Sequence, residues 1–372
     1  MLRNLRLEKY RSFDDYELGN LSRVNLLVGK NDCGKTSILE AIHFLVSRGD
    51  PEVLARCAER RGEGADVAPR SAAPSLAEAG SRPRRTGPSI ARFFFGHRFG
   101  PDEAFRIASE GRGCVSVEVR LHDESLPFAD DQDPPVFDLL IRSGTLDKTF
   151  GIPVTESGCM VNYRQHRFRG PWLDRASPTP AVQFVTLESL GNEALREAWD
   201  TALKEGREAE AIDAVRLLHE DLESIVVLTS DSSRTGSGRA GVLLGFGGTG
   251  RRERVPLGSH GDGMHRLLAL SLALIQAADG VLLIDEIDTG LHWTVLEDMW
   301  RLVIETARKS SVQVFATTHS YDCIRGLAAL AESHSALVGD VSIHKIERAL
   351  RKAVRFAEED IPAIVDQNIE VR

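Results

Sequence analysis

Long apolar runs are missing from this chain of 372 residues: nothing approaches the roughly 18 consecutive apolar residues of a membrane-spanning helix. The opening MLRNLRLEKYRSF lacks the apolar core of a secretory signal, so the expected location is the cytoplasm and no membrane partner is expected. Cysteine is scarce and scattered. Cys33, Cys57, Cys114, Cys159 and Cys323 are odd in number and form no CxxC, which argues against a disulfide framework or a zinc site and suits reduced thiols. An excess of positive charge is also lacking. The formal net charge of −9 argues against a generally basic nucleic-acid binder while leaving room for a local basic surface. Repeats of fixed period and heptads of coiled-coil length are absent as well.

What the chain does contain is a 42% hydrophobic composition, enough for a sizeable core in one large domain or two ordinary ones. VNLLVG is the clearest buried strand near the N-terminus, and SILEAIHFLVS (37–47) has helical apolar spacing directly after a glycine-rich turn. From Pro51 to about Pro88 the composition shifts to Ala, Arg, Gly, Pro and Ser, predicting a short helix and then a mobile loop. CVSVEVRLH (114–122), VFDLLIRSG (136–144), AVQFVTL (181–187), SIVVLTS and GVLLGF read as strands. Residues 191–222 read as helical, with Leu195, Trp199, Leu203, Ile212, Val215, Leu217 and Leu218 as core candidates. VLLID and VQVFATT are buried-strand patterns separated by the helix WTVLEDMWRLVIETARK, and this alternation implies a parallel sheet.

GKNDCGKT, residues 29–36, fits G-x-x-x-x-G-K-[ST] between a predicted strand and a predicted helix. Backbone N–H groups of such a loop cradle phosphates, helped by the positive helix N-terminus. Lys35 would reach the β- and γ-phosphates, and Thr36 would offer its hydroxyl to Mg²⁺. Chance yields this pattern in on the order of one chain in a hundred of this length. The bound set is therefore Gly29, Lys30, Asn31, Asp32, Cys33, Gly34, Lys35, Thr36 and Ser37, and the expected cofactors are ATP and Mg²⁺.

VLLIDEIDTGLH, residues 281–292, is an apolar strand ending in two carboxylates. With a phosphate loop present, Asp285 would hold the hydration shell of the metal, and Glu286 would accept a proton from attacking water or orient it. His319 follows the next strand in ATTHS, where it could hydrogen-bond a γ-phosphate. Ser259 and Asp262 in LGSHGDGMHR (257–266) stand before an apolar helix, where they are expected to act as N-cap residues.

Taken in order, LRLEKYRSFDDYEL, GKNDCGKTS, LLIDEIDTGLH and ATTHS resemble the ATP-binding-cassette ATPases of the SMC and RecF kind. The similarity looks closest to the ATPase half of the OLD (overcoming lysogenization defect) nucleases and their stand-alone relatives. It covers about residues 1–50 and 225–325 in motifs and the middle loosely. The fold it implies is α/β: a two-lobed ABC-type P-loop NTPase with a mostly parallel core sheet, an antiparallel β subdomain and a helical insertion. The expected division is a core of 1–50 and 225–335, a variable insertion at 51–113, a β-rich part at 114–188, a helical insertion at 189–224 and an extension at 336–372.

The resemblance also implies a head-to-tail dimer with two ATP molecules sandwiched between subunits, or a higher oligomer. Ser259-His260-Gly261-Asp262 lies over the family signature Ser-Gly-Gly-Glu, with His260 in place of a glycine. Ser259 and the backbone of Gly261 would then contact the γ-phosphate held by the partner. Arg11, in YRSF, matches a family arginine near the nucleotide. A glutamine-loop residue that helps bind the metal or water would be Gln183 or Glu188, either of which also suits a plain strand or turn.

Only residues 320–372 follow the histidine motif, too few for the TOPRIM nuclease domain of OLD nucleases, so nuclease activity in this chain is not expected. RPRRTGPSIARFFFGHR (82–98), with five arginines and no acid, RQHRFRG (164–170) and RRER (251–254) fit either phosphate-backbone contact or solvated loops. The leading expectation is an ATP hydrolase acting on DNA or on a separately encoded effector such as a nuclease or toxin, in defence against phage and plasmids or in DNA maintenance. The alternative is a low-turnover, nucleotide-dependent scaffold or sensor that restrains an effector.

Overall fold

β1 (Leu5–Tyr10) and β2 (Phe13–Leu18) mix buried apolar with exposed polar positions, as a half-buried hairpin must. β3 (Val24–Val28) is buried throughout and leads through the glycine loop into α1 (Lys35–Val46). α2 (Pro51–Arg60) follows, started by the Asp50 side chain and by proline in its first turn. Then come β4 (Ala104–Ser109), β5 (Gly113–Leu121), β6 (Phe137–Ser143), β7 (Lys148–Val154) and β8 (Val182–Val185). α3 (Asn192–Lys204) and α4 (Glu208–Arg216) precede β9 (Leu222–Val227), β10 (Val242–Phe246) and β11 (Glu253–Pro256). The second half alternates α5 (Asp262–Gln276), β12 (Val281–Ile284), α6 (Leu296–Lys309) and β13 (Gln313–Thr317). α7 (Tyr321–Ser333), α8 (Ser335–Val338), β14 (Val341–Lys345), β15 (Val354–Phe356) and α9 (Ile361–Asp366) close the chain. This computed structural model describes residues 1–63, 87–122, 136–144, 148–161, 180–186, 192–228, 241–247 and 253–367. No described helix is long and apolar enough to cross a membrane.

Three sheets result. The core sheet has the order β15-β14-β3-β13-β12-β8, parallel except for the antiparallel edge strand β15. An antiparallel sheet runs β2-β1-β4-β5-β6-β7, and a small one runs β11-β10-β9. α1 lies in the apolar layer shared by the antiparallel sheet and one face of the core sheet, which is why its side chains are buried almost all round. α5, α6, α7 and α9 cover the other face. α3 and α4 pack with the small sheet against the far side of α5. This is the expected α/β arrangement of a parallel core, an antiparallel β part and a helical insertion.

The floor of the core sheet is polar and fully engaged. Gln313 accepts the Leu2 N–H at 2.7 Å and donates to the Leu2 and Ser22 carbonyls at 2.9 Å each. Asn25 bonds both ways with the Ser22 backbone and donates to the Val314 carbonyl. Buried amides are tolerable only when paired in this way, and here they stitch the N-terminus to the parallel sheet.

Strand pairing reassigns several segments. β4 lies in the stretch expected as a variable insertion, yet it joins the antiparallel sheet between β1 and β5, with Phe105 and Ile107 inward. β8 leaves the β-rich segment for the edge of the core sheet, and β14, from the expected extension, pairs in parallel with β3. Residues 191–222 divide into two helices at Gly206, whose φ is +67°. Leu203, expected in the core, is exposed. It sits roughly 80° round α3 from Leu195, outside the stripe formed by Leu195, Ala198, Trp199 and Ala202. Of the aromatic run Phe93–Phe95, expected in the core, Phe93 and Phe94 are buried and Phe95 is half-buried.

Two buried histidines make stability depend on pH. Burial pushes His43, which rests on the Phe184 ring, down to about 4, and does the same for His344 in β14. A folded-state pKa below the unfolded value near 6.5 means that stabilisation is complete above that value and is lost as pH falls towards 4. Each histidine then costs on the order of 1–2 kcal/mol at pH 5. The melting temperature is expected to fall between pH 7 and pH 5, and to fall less in His43→Leu. Parallel pH profiles for the two proteins would rule out this origin.

Candidate nucleotide site

The carboxyl edge of the core sheet gathers the loops after β3, β12 and β13, where open α/β sheets bind ligands. The first is the phosphate loop. A Cβ at Gly29, φ +146°, would lie 2.8 Å from the Cys33 sulfur and 2.9 Å from the Ile346 carbonyl oxygen. One at Gly34, φ +100°, would strike the Phe13 ring at 2.5 Å. Both positions therefore require glycine. Lys30, Asn31 and Asp32 line the exposed crown of the loop, while Cys33 is buried beneath it.

Lys35 folds back over this loop, its Nζ donating to the Gly29 carbonyl at 2.7 Å and the Lys30 carbonyl at 3.0 Å. An ammonium held by two carbonyls within its own loop can exchange them for phosphate oxygens with little movement of the stem. Thr36 Oγ1 donates to the Asp285 carboxylate at 3.0 and 3.2 Å. A hydroxyl beside a carboxylate is a hard-oxygen pair of the kind that suits Mg²⁺. No group of three or more His, Cys, Asp or Glu side chains able to hold a metal occurs among the described residues. A divalent ion here would therefore draw further ligands from phosphate and water. The Ser37 hydroxyl is used differently: it accepts from Arg61 at 3.2 Å inside the protein, which leaves its backbone N–H as its possible contribution to the loop.

The Asp285 carboxylate and the Glu286 backbone, just after β12, are both held by the last residue of β13. Thr317 Oγ1 donates to Asp285 at 2.6 Å and accepts the Glu286 N–H at 2.9 Å. Thr318 Oγ1 donates to Asp288 at 2.6 Å. Glu286 adopts φ +52°, a left-handed conformation that is uncommon for a residue with a side chain. Its carboxylate faces solvent, with Thr289 Oγ1 at 3.2 Å and His319 Nδ1 at 3.5 Å. Glu286 and His319 thus stand together at the mouth of the site, and Asp285 stands inside it against Thr36.

Two residues expected at the site lie elsewhere. Arg11 is committed to a buried ion-pair cluster: its Nε is 3.0 Å from Glu40 and its Nη1 3.0 Å from Glu63, with the guanidinium carbon 4.0 Å from the Phe93 ring centroid. Two buried carboxylates need a counter-charge, and Arg11 supplies it behind α1. Gln183 pairs in register with Leu282, three residues before Asp285, so it sits roughly 10 Å short of the carboxyl edge. Glu188, its alternative, lies outside the described residues, as do RQHRFRG and parts of the other two basic segments.

The signature segment forms a tight turn at Leu257–Ser259 and opens α5 through Gly261, φ +83°. The expected side-chain capping is not found. Ser259 lies two residues before the N-cap and Asp262 is already the first helical residue, so neither closes the end. Gly258, Ser259, Gly261 and Asp262 are exposed. The His260 ring, in place of a family glycine, packs at 5.2 Å from His219 and 4.9 Å from Phe246, against the small sheet.

Sequence reasoning passed over Thr317 as an organiser of the Asp285 carboxylate and the Glu286 backbone and did not single out Arg266. Arg266 sits in α5 and donates from Nη2 to the carbonyls of Asp285 at 3.1 Å and Glu286 at 2.7 Å. The available signal was a lone arginine at the start of the apolar run RLLALSLALI.

Comparison with known proteins agrees with this arrangement. A family model described as "AAA domain, putative AbiEii toxin, Type IV TA system" matches residues 170–322. A second, "AAA ATPase domain", matches residues 1–67. An "ATP/GTP phosphatase" of Helicobacter pylori is 18% identical over 349 residues, covering 87% of this chain and 86% of that protein. The crystal structure of an SMC head bound to the C-winged helix domain of ScpA matches with a TM-score of 0.51 at 13% identity, over 96% of this chain and 97% of that one. The SMC head domain from Thermotoga maritima covers 96% of this chain and 98% of its own at 14% identity, with a TM-score of 0.42. Motif order and the two family-model matches make the chain similar to AAA ATPase domains, and its fold is that of the SMC head solved with ScpA.

Proposed function

We propose that this protein hydrolyses ATP with Mg²⁺ in a homodimer, or a higher oligomer built from such pairs, that closes on nucleotide. The observation that carries this reading is the division of the ATP machinery into two unlike surfaces. The phosphate loop, Asp285, Glu286 and His319 converge at one sheet edge. The exposed turn through Ser259 and Gly261 instead ends in an uncapped helix N-terminus with no side-chain partner of its own. Such an end suits the γ-phosphate of an ATP bound to another copy.

In this reading Lys35 releases its two carbonyls to bind the β- and γ-phosphates. Thr36 directly and Asp285 through water would hold Mg²⁺, which when bound neutralises charge on those phosphates. Glu286 takes or orients the proton of attacking water, and His319 donates a hydrogen bond to the γ-phosphate. Coupling to a separately encoded effector, or to DNA, follows the same reading. The matched SMC head was solved with a bound ScpA domain, and one matched family is named for a toxin–antitoxin system. A role in defence against phage and plasmids, or in DNA maintenance, is consistent with such an effector.

The specific activity per chain is expected to rise with protein concentration, because each site needs two subunits. ATPase rates from nanomolar to micromolar protein, beside the mass measured with a non-hydrolysable ATP analogue, check this. A monomeric mass with a constant specific activity would sink the shared site. Bound nucleotide in a stable dimer with negligible turnover, with or without DNA, would instead identify a scaffold or sensor.

A further inference from the structure

Arg266 is among the largest fully buried side chains, 2% exposed, in a stretch of α5 whose other buried residues include Met264, Leu267, Leu268 and Leu270. A guanidinium carries five N–H donors. Here Nη2 serves two backbone carbonyls, whereas Nε and Nη1 are buried without a hydrogen-bond partner. Burial works against the charge, and the nearby Asp288, Asp285 and Glu286 carboxylates work for it. A buried charge with unused donors costs stability, so its retention calls for a reason beyond packing.

The two carbonyls supply that reason. Asp285 O belongs to the peptide before the Glu286 Cα, and Glu286 O to the peptide after it. The relative rotation of those two planes is the φ/ψ setting of Glu286. One nitrogen bonded to both oxygens holds that setting at the left-handed φ of +52°. Thr317 secures the same residue from the opposite strand through the Glu286 N–H. The φ/ψ setting in turn fixes the direction of the Cα–Cβ bond, and hence where the carboxylate stands relative to His319 and the mouth of the site. The clamp belongs to the helix that Gly261 opens five residues earlier.

We propose that Arg266 is a positioning residue that clamps the peptides on both sides of Glu286 and so aims its carboxylate for hydrolysis. This inference rests on Glu286 being the residue that handles the attacking water. It assigns no contact between Arg266 and nucleotide.

The test compares Arg266→Met and Arg266→Lys, alone and combined with Glu286→Gln, by ATP affinity and by kcat. Arg266→Met is expected to lower kcat about 30-fold or more while ATP affinity stays within about threefold, because the phosphate loop is untouched. Arg266→Lys, whose ammonium can serve both carbonyls, is expected to recover most of that loss. It carries the same comparison should the methionine variant not fold, with a smaller fall in kcat and again no change in affinity. In the Glu286→Gln background, either Arg266 substitution is expected to change the rate less than about twofold, since the group being aimed is already gone. A parallel loss of affinity and kcat, or a loss repeated in full in the double variant, would overturn the clamp. Two failures stay distinguishable. Normal hydrolysis by Glu286→Gln alone removes the premise, whereas an inactive Glu286→Gln beside a fully active Arg266→Met removes only the clamp.

Discussion

Replacing Glu286 by Gln is expected to lower ATP turnover about 100-fold or more while leaving ATP affinity unchanged or higher. The substitution keeps the shape of the side chain and an acceptor oxygen for Thr289 Oγ1, so the turn after β12 should persist. Its left-handed backbone is also preserved, because the bonds that hold it come from Thr317 and Arg266 and involve only main-chain atoms of residues 285 and 286. What disappears is the carboxylate that faces both His319 and solvent. Lys35, Thr36 and Asp285 are untouched, so nucleotide should bind, and the loss of a negative charge near phosphate removes a repulsion. Binding without hydrolysis should trap the ATP-bound dimer, seen as a doubled mass by light scattering in ATP and Mg²⁺ and as a monomer mass without nucleotide. A normal hydrolytic rate in this variant would show that Glu286 is not the base.

Several features of this fold were readable from sequence because their chemistry is local. The phosphate loop needs its glycines, lysine and hydroxyl within eight consecutive residues, and the geometry at Gly29 and Gly34 explains why no side chain could replace them. The acidic strand end is local in the same sense. Sheet membership is not, since β4, β8 and β14 read as strands or not on their own residues, whereas the partners that place them in their sheets, β1, β12 and β3, lie far away in the chain. Arg11 illustrates the same limit. Its motif points to nucleotide, but the two carboxylates that claim it sit at positions 40 and 63, and nothing in YRSF anticipates them. Arg266 is the converse case, a charge in an apolar helix that looks like a surface residue until its two carbonyl partners are seen.

The environment of His260 bears on the shared site. A ring in place of a glycine would crowd a phosphate if it pointed outward, but this ring is taken up by His219 and Phe246. The outward surface of the turn is then composed of Gly258, Ser259 and the Gly261 backbone, which are small enough to approach an anion closely. Gly290 lies beside Asp262, so the turn after Glu286 borders the start of α5.

Mixing two inactive variants is expected to restore activity if that surface completes a partner's site. Ser259→Arg fills the exposed turn with a long side chain while leaving the phosphate loop intact, and Ser259 makes no capping bond whose loss would unfold α5. Lys35→Ala removes the ammonium that would bind phosphate while leaving the signature turn intact, and among the described residues that ammonium bonds to neighbours within the loop. Each homodimer then carries two defective sites. In a hybrid, the loop of the Ser259→Arg subunit meets the turn of the Lys35→Ala subunit, giving one complete site, while the other site carries both lesions. Random pairing at equal concentration makes half the dimers hybrid, so recovery of about a quarter of the normal rate is expected if the two sites act independently. Recovery should follow the product of the two subunit fractions, with its maximum at equal mixing. No recovery at any ratio, from variants that each fold and exchange subunits, would mean that Ser259 and Lys35 serve the same chain or that Ser259 does not serve nucleotide at all. Recovery well above a quarter would mean that one closed site suffices to drive the dimer, making the two sites cooperative.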